Sequence, residues 1–202
     1  MCQCYVDQTP QVGDFSHKTW GDLLQALDND LGPTHRVVTA VRFDGVDQPS
    51  FRTPELAGLG LARLTRLEVQ TDAAADVLAE TAQTARAGIA VVARNLRQTA
   101  DSFRGTDVGA ANAHLADVAG VIQQLTLLTT ALAQAAGVDL SALPCGSVSG
   151  AEIVDAVGLQ LEQLLTAQEA RDWYAVADCL EFELAPALDS WRLVFDAIEG
   201  GA

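Results

Sequence analysis

The stretch DWYAVADCLEFELAPALDSWRLVFDAI, residues 172–198, decides how the carboxyl-terminal part of this chain folds. It holds five of the eleven aromatic residues, Trp173, Tyr174, Phe182, Trp191 and Phe195, and six carboxylates against one base, Arg192. Trp173, Ala177, Leu180, Leu184, Ala187, Trp191, Phe195 and Ile198 recur at steps of three and four, which places them on one face of an α-helix. They read as an inward seam. Tyr174, Asp178 and Phe182 form a second row at steps of four, continued by Pro186. Phe182 lies roughly half a turn in azimuth from Trp173, so one neighbour cannot cover both rows. The second row, rimmed by Asp178, Glu181 and Asp189, is therefore a candidate partner surface. The competing reading is a central helix buried on two sides. Proline lacks an N–H and clashes with the carbonyl four residues back, so Pro186 is expected to kink or break this helix.

Upstream, the same periodicity reaches back to about residue 71. Leu78, Ala82, Ala85, Ile89, Val92, Leu96 and Phe103 form a narrow, alanine-rich seam, with Thr71 or Asp72 as the expected cap and Gly105 as the stop. A second helix is expected from Thr106 or Asp107, with a stripe of Leu115, Val118, Ile122, Leu125 and Leu132, widened by Val121 and Leu128 and ended by Gly137. After a loop containing Pro144 and Gly146, Ser149 and Glu152 form a capping box for a third helix bearing Ile153, Val157, Leu161 and Leu164. Residues 168–172 are a polar joint into the fourth. Short connections imply antiparallel neighbours, so residues 71–202 read as an antiparallel four-helix bundle.

Residues 1–70 read differently. Cys2 to Val6 is a short strand and Thr9 to Asp14 a turn. Thr19 and Asp22 form a capping box for a helix carrying Trp20, Leu23, Leu24, Leu27 and Leu31, stopped by Gly32 and Pro33. Arg36 to Phe43 alternates as a strand with Val37, Thr39, Val41 and Phe43 on one face, followed by an Asp44-Gly45 turn. Arg63 to Gln70 supplies another strand, with Leu67 and Val69 on one side. This order suits a small mixed sheet crossed by one helix and resembles a β-grasp in topology. The fold class expected is α+β, a β-grasp-like module followed by a helical bundle.

The chain has 202 residues and a formal net charge of −15, with one lysine, Lys18, and eleven scattered arginines. Such a surface repels nucleic acid and anionic lipid, so neither is expected as a partner. The first residues carry no basic, apolar leader, and no run of 18 apolar residues occurs, so neither a signal peptide nor a membrane span is expected. Four cysteines, Cys2, Cys4, Cys145 and Cys179, do not make a disulfide framework in a chain this long, and a reducing cytoplasm is expected.

No catalytic, cofactor or metal site emerges. Cys2 and Cys4 share one side of a strand, but a structural zinc site needs about four ligands and no second pair exists, so small buried residues are the competing reading. Cys145 lacks a local signature for a partnering base among His17, His35 and His114. Gly146-Ser-Val-Ser-Gly150 has Val148 where a nucleophile elbow needs serine, and reads better as a loop leading to the Ser149 cap. Gly58-Leu-Gly60 lacks the third glycine of a dinucleotide site.

The stretch EARDWYAVADCLEFELAPALDSW, residues 169–191, together with the valine-rich strand VVTAVRFDG, residues 37–45, resembles uncharacterised bacterial proteins that join a small α/β module to a helical bundle. That bundle is similar to flagellar export chaperones, which hold flagellin by helix-on-helix packing. The resemblance implies a cytoplasmic, non-enzymatic, chaperone-like protein that packs a partner's amphipathic helix against its bundle, with a link to flagellar or secretion proteins. It rests on element order and composition, and no functional residue is carried over from it. Two alternatives stay open: a self-associating homodimer, built on the alanine-rich seam of residues 74–100 or on the aromatic row, and a thiol- or metal-dependent protein using Cys2, Cys4 or Cys145.

Overall fold

Strand β1 (Gln3–Val6) turns back through Asp7 and Gln8 into β2 (Thr9–Pro10). Both turn residues have left-handed φ, 47° and 65°, as a two-residue hairpin requires. The turn expected from Thr9 onward therefore falls two residues earlier, and Thr9–Pro10 is paired as an edge strand, where proline's missing donor is tolerated. The computed structural model describes residues 2–13, 15, 17–105 and 108–201, and the chain divides into two units, Met1–Val77 and Leu78–Ala202.

In the first unit, helix α1 (Trp20–Leu31) starts on the expected capping box: the Thr19 hydroxyl accepts from the Asp22 amide at 3.2 Å, and the Asp22 carboxylate accepts from the Thr19 amide at 2.9 Å. Its end differs from expectation. Gly32 stays right-handed, the chain continues as a 3-10 turn over Gly32–Thr34, and the left-handed residue is His35. Strand β3 (Arg36–Phe43) has the expected span, but its pairing slips between Val38 and Ala40. A bulge there places one extra residue in β3, so Val38 joins Val41 and Phe43 in the core while Val37 and Thr39 do not. Asp44 and Gly45, both at positive φ, lead into β4 (Val46–Asp47). A short helix α2 (Pro54–Ala57) and a 3-10 turn (Leu61–Arg63) precede β5 (Arg66–Ala73), which starts and ends later than expected.

The sheet order is β2-β1-β5-β3-β4, with β1 and β5 parallel and the other pairs antiparallel. Its core is centred on Trp20, Leu61, Leu67 and Val69. Trp20 sits edge-on to Phe43 and Phe51 and donates its indole N–H to the Phe51 carbonyl at 2.6 Å. Thr71 and Asp72 do not cap the next helix: both lie within β5, where Thr71 bonds Asp7 and the Asp72 carboxylate accepts from Thr39.

The second unit comprises most of α3 (Ala74–Arg104), α4 (Val108–Ala135), a two-residue hairpin of β6 (Pro144–Cys145) and β7 (Val148–Ser149), α5 (Gly150–Glu169), α6 (Trp173–Asp178), a π-helical segment (Cys179–Leu184) and α7 (Ala185–Gly201). The expected α4 cap, Thr106 or Asp107, lies outside the described residues. One apolar core takes Ile89 and Leu96 from α3, Leu115 and Ile122 from α4, Val157 from α5, and Trp191 and Phe195 from α7. Of the alanine-rich seam, Ala82, Ala85, Ala93 and Ala100 are buried in this core. Val121 is exposed and does not widen the α4 stripe. Gly137 at φ 68° ends α4, with the Val138 amide bonded to the Ala133 carbonyl at 2.8 Å. The Ser149–Glu152 capping box forms as expected. Helix α4 is long and apolar enough to meet the length and composition of a membrane span. Here one face of it, from Ala111 through Leu115 and Ile122 to Ala133, lies in the protein core.

Residues 173–201 stay helical through Pro186. The ring would clash with the Phe182 carbonyl in a regular α-helix. Instead the preceding segment is π-helical, with the Ala185 amide bonded five residues back to the Leu180 carbonyl. Ala185, Leu188 and Val194, outside the expected seam, are buried, whereas Ala187 is only half-buried.

Candidate functional site

Arginines on α3 organise the surface of the last helical segment. Arg86, Arg97 and Arg104 are spaced by eleven and seven residues, which aligns them along one stripe of α3. Arg86 pairs with Asp196 and, at 2.9 Å, with Glu199. Arg97 pairs with Asp189 at 2.9 Å. Arg104 forks between Asp178 at 2.8 Å and Glu181 at 2.5 Å. Early α3 thus meets late α7, and late α3 meets α6 and the π segment, so the two run in opposite directions. Phe103 stacks on Trp173 at the same end, ring centroids 5.7 Å apart.

The structure brings three of the expected site residues together around Arg104. Its guanidinium lies between the Asp178 and Glu181 carboxylates and 5.9 Å from the centre of the Phe182 ring. Asp178, and after it Glu181, holds the Arg104 proton more tightly than usual. Asp189 is engaged separately by Arg97. Each carboxylate of this rim is therefore ion-paired from within the chain. What remains open is apolar: Tyr174 is 73% exposed and Phe182 61% exposed, and Pro186 is also exposed. Tyr174 belongs to α6, whose amino end is capped by Asp172 accepting from the Ala175 amide at 3.1 Å. The reading in which this helix is buried on two sides does not hold for Tyr174 and Phe182. Arg97 and Arg104 were not among the expected site residues. Their common stripe on a predicted helix, facing a segment with six carboxylates, is the signal that could have found them.

The cysteines sit elsewhere. Cys2 and Cys4 are buried in the first unit, where burial pushes both thiols up, Cys4 to about 11 with the Cys2 side chain adding to the effect. Cys145 is buried and donates to the Leu193 carbonyl at 3.7 Å, and burial raises it too. Cys179 donates to the Gln160 carbonyl at 3.6 Å and is raised by burial and then by Glu183. Each is held as a neutral thiol at neutral pH, whereas the nucleophile and metal ligand is the thiolate. Among the described residues no three His, Cys, Asp or Glu side chains gather in a metal-binding group.

Residues 80–194, more than half of the chain, match a family model described as a domain of unknown function, DUF8042. The matched span begins in α3 and ends in α7, so it takes in the helical unit and leaves the sheet outside. Comparison with curated proteins gives no match. Comparison with solved structures gives none either. By its helical unit, the chain belongs to the DUF8042 family.

Proposed function

We propose that this is a non-enzymatic, chaperone-like binding protein that receives an amphipathic helix of a partner protein against its helical unit. The observation that carries this reading is the paired exposure of Tyr174 and Phe182 on a helical segment whose opposite face is core. Large exposed aromatics on a rigid helix, rimmed by polar groups already paired within the chain, are what a helix-in-groove interface uses as anchors. The polar rim of Asp178, Glu181 and Asp189 is held by Arg104 and Arg97, so docking there strands no buried charge.

In this reading the four long helical segments form an antiparallel bundle, supported by the opposed run of α3 and α7. The amino-terminal unit is a β-grasp module, supported by the strand order with parallel β1 and β5 at its centre. A bacterial cytoplasmic setting beside flagellar or secretion proteins follows from the resemblance of the bundle to flagellar export chaperones. Affinity capture from native lysate compares the parent with a Tyr174→Ala, Phe182→Ala variant. Losing two anchor side chains of about 2 kcal/mol each weakens a partner by more than a hundredfold. A partner held equally by both proteins sinks this surface.

A further inference from the structure

A second apolar groove runs between α4 and α5, on another face. Ile122 and Thr126 line one side, Val154, Gly158 and Leu161 the other, and Trp191 its floor, around a volume of about 430 Å³. The α4 wall is uncharged: from Val118 to Ala135 that helix has no Asp, Glu, Lys, Arg or His. In a chain of net charge −15 this is an unusual stretch to leave in water, and Leu127 within it is 66% exposed. On α5, Leu159 and Leu165 are 53% and 58% exposed.

Gly158 adds an independent observation. A Cβ placed on it would meet no atom of the described residues within 4 Å, so none of them requires glycine there. Glycine in mid-helix weakens the helix. Its effect is to leave a smooth wall against which another backbone approaches closely.

Charge selects the occupant. Asp155 and Glu162 also line the groove, two helical turns apart along α5. Neither makes an ion pair among the described residues, in contrast to Asp178, Glu181, Asp189, Asp196 and Glu199 on the last segment. We infer that the α4–α5 groove binds a helix of another protein that has an apolar face, a Lys/Arg edge at seven-residue spacing opposite Asp155 and Glu162, and an uncharged edge against α4. A second copy fits less well, because apposed α5 edges would gather four carboxylates with no base between them. This inference shares a partner class with the proposed function but not a surface, so either stands if the other fails.

The test uses the full chain and a labelled synthetic helix of about five turns, with leucines at i, i+3, i+4 and i+7 and lysines along one edge, read by fluorescence anisotropy. A second peptide has glutamates in place of the lysines. The expected result is binding of the lysine peptide and not of the glutamate peptide. Asp155→Lys with Glu162→Lys weakens it about tenfold or more, equivalent to 1.4 kcal/mol. Gly158→Phe, which fills the groove, weakens it comparably while helical circular dichroism is retained. Glu55→Lys with Glu80→Lys, the same change in net charge placed elsewhere, stays near the parent. The inference is overturned if Gly158→Phe binds like the parent, or if the Glu55 and Glu80 reversals cost as much as those at Asp155 and Glu162. It is overturned equally if only Tyr174→Ala with Phe182→Ala abolishes binding, or if light scattering shows a dimer that Gly158→Phe dissociates.

Discussion

The indole N–H of Trp191 is donated to the Thr129 hydroxyl at 3.1 Å, and each residue is 1% exposed. The hydroxyl in turn donates to the Leu125 carbonyl at 2.8 Å. This relay ties α7 to α4 and satisfies the polar atom of the largest side chain in that core. Thr129→Val keeps the shape and removes the acceptor, leaving a buried indole N–H unpaired. Stability is expected to fall by about 1–3 kcal/mol. Trp191→Phe removes the orphaned donor, so the double variant should lose less than the sum of the singles. Urea unfolding of the four proteins checks this. Strict additivity would mean the bond carries no coupling energy.

Arg104→Ala should lower stability only slightly, since the pairs with Asp178 and Glu181 are partly exposed and screened. Arg104→Lys should recover only part, because an ammonium does not fork to two carboxylates. The deficit is expected to shrink as salt rises. Thermal unfolding at low and high ionic strength measures it, and a salt-independent deficit would assign the role of Arg104 to packing on Phe182.

Asp7 links β1 to the end of β5. Its carboxylate accepts from the Thr71 amide at 2.8 Å and the Thr71 hydroxyl at 2.6 Å, with Arg36 at 3.3 Å. Partial burial pushes this carboxyl up, but the Thr71 bonds and Arg36 outweigh it and hold it below the usual range. A folded value below the unfolded one stabilises the fold above about pH 4, the ordinary carboxylate value. That contribution is lost as pH falls through the folded value. Asp7→Asn should therefore cost about 1 kcal/mol at neutral pH and converge on the parent in acid. Amide exchange at Val69 and Thr71 across pH is the measurement. A gap that persists unchanged in acid would count against the linkage.

Cys4, with its thiol pushed up to about 11, should resist alkylation in the folded chain at neutral pH and react freely once the first unit unfolds. Mass spectrometry after a timed iodoacetamide pulse, with and without denaturant, reads this at Cys4 itself. Equal labelling in both conditions would show that the β1–β5 region opens faster than the pulse.

Much of the local structure is legible in the residue order. Both capping boxes, at Thr19 and Ser149, form where threonine or serine precedes an acid by three positions, because the side chain satisfies amides within one turn. The span of β3 and the core stripes of α3 and α4 follow from periodicity alone. Two misplaced features share a cause: a partner distant in sequence decided them. Thr39 bulges because β5 imposes its register on β3. Thr71 is a strand residue because Asp7 claims it. Leu188 and Val194 are also in the core, because the buried stripe of α7 is wider than the seam of Trp191, Phe195 and Ile198 that spacing alone picks out.

The segment at 172–198 was determined by sequence alone to be helical, aromatic on two sides and acidic, since spacing and composition are local properties. Only the tertiary structure decided which of its groups remain available. Trp173 found Phe103, Trp191 found Thr129, and the acidic rim was taken by Arg97 and Arg104 from a helix some 80 residues away. Tyr174 and Phe182 were left open, and the uncharged α4 wall was set beside Asp155 and Glu162 of α5. Pairing across such sequence distances depends on how helices dock, which periodicity does not encode.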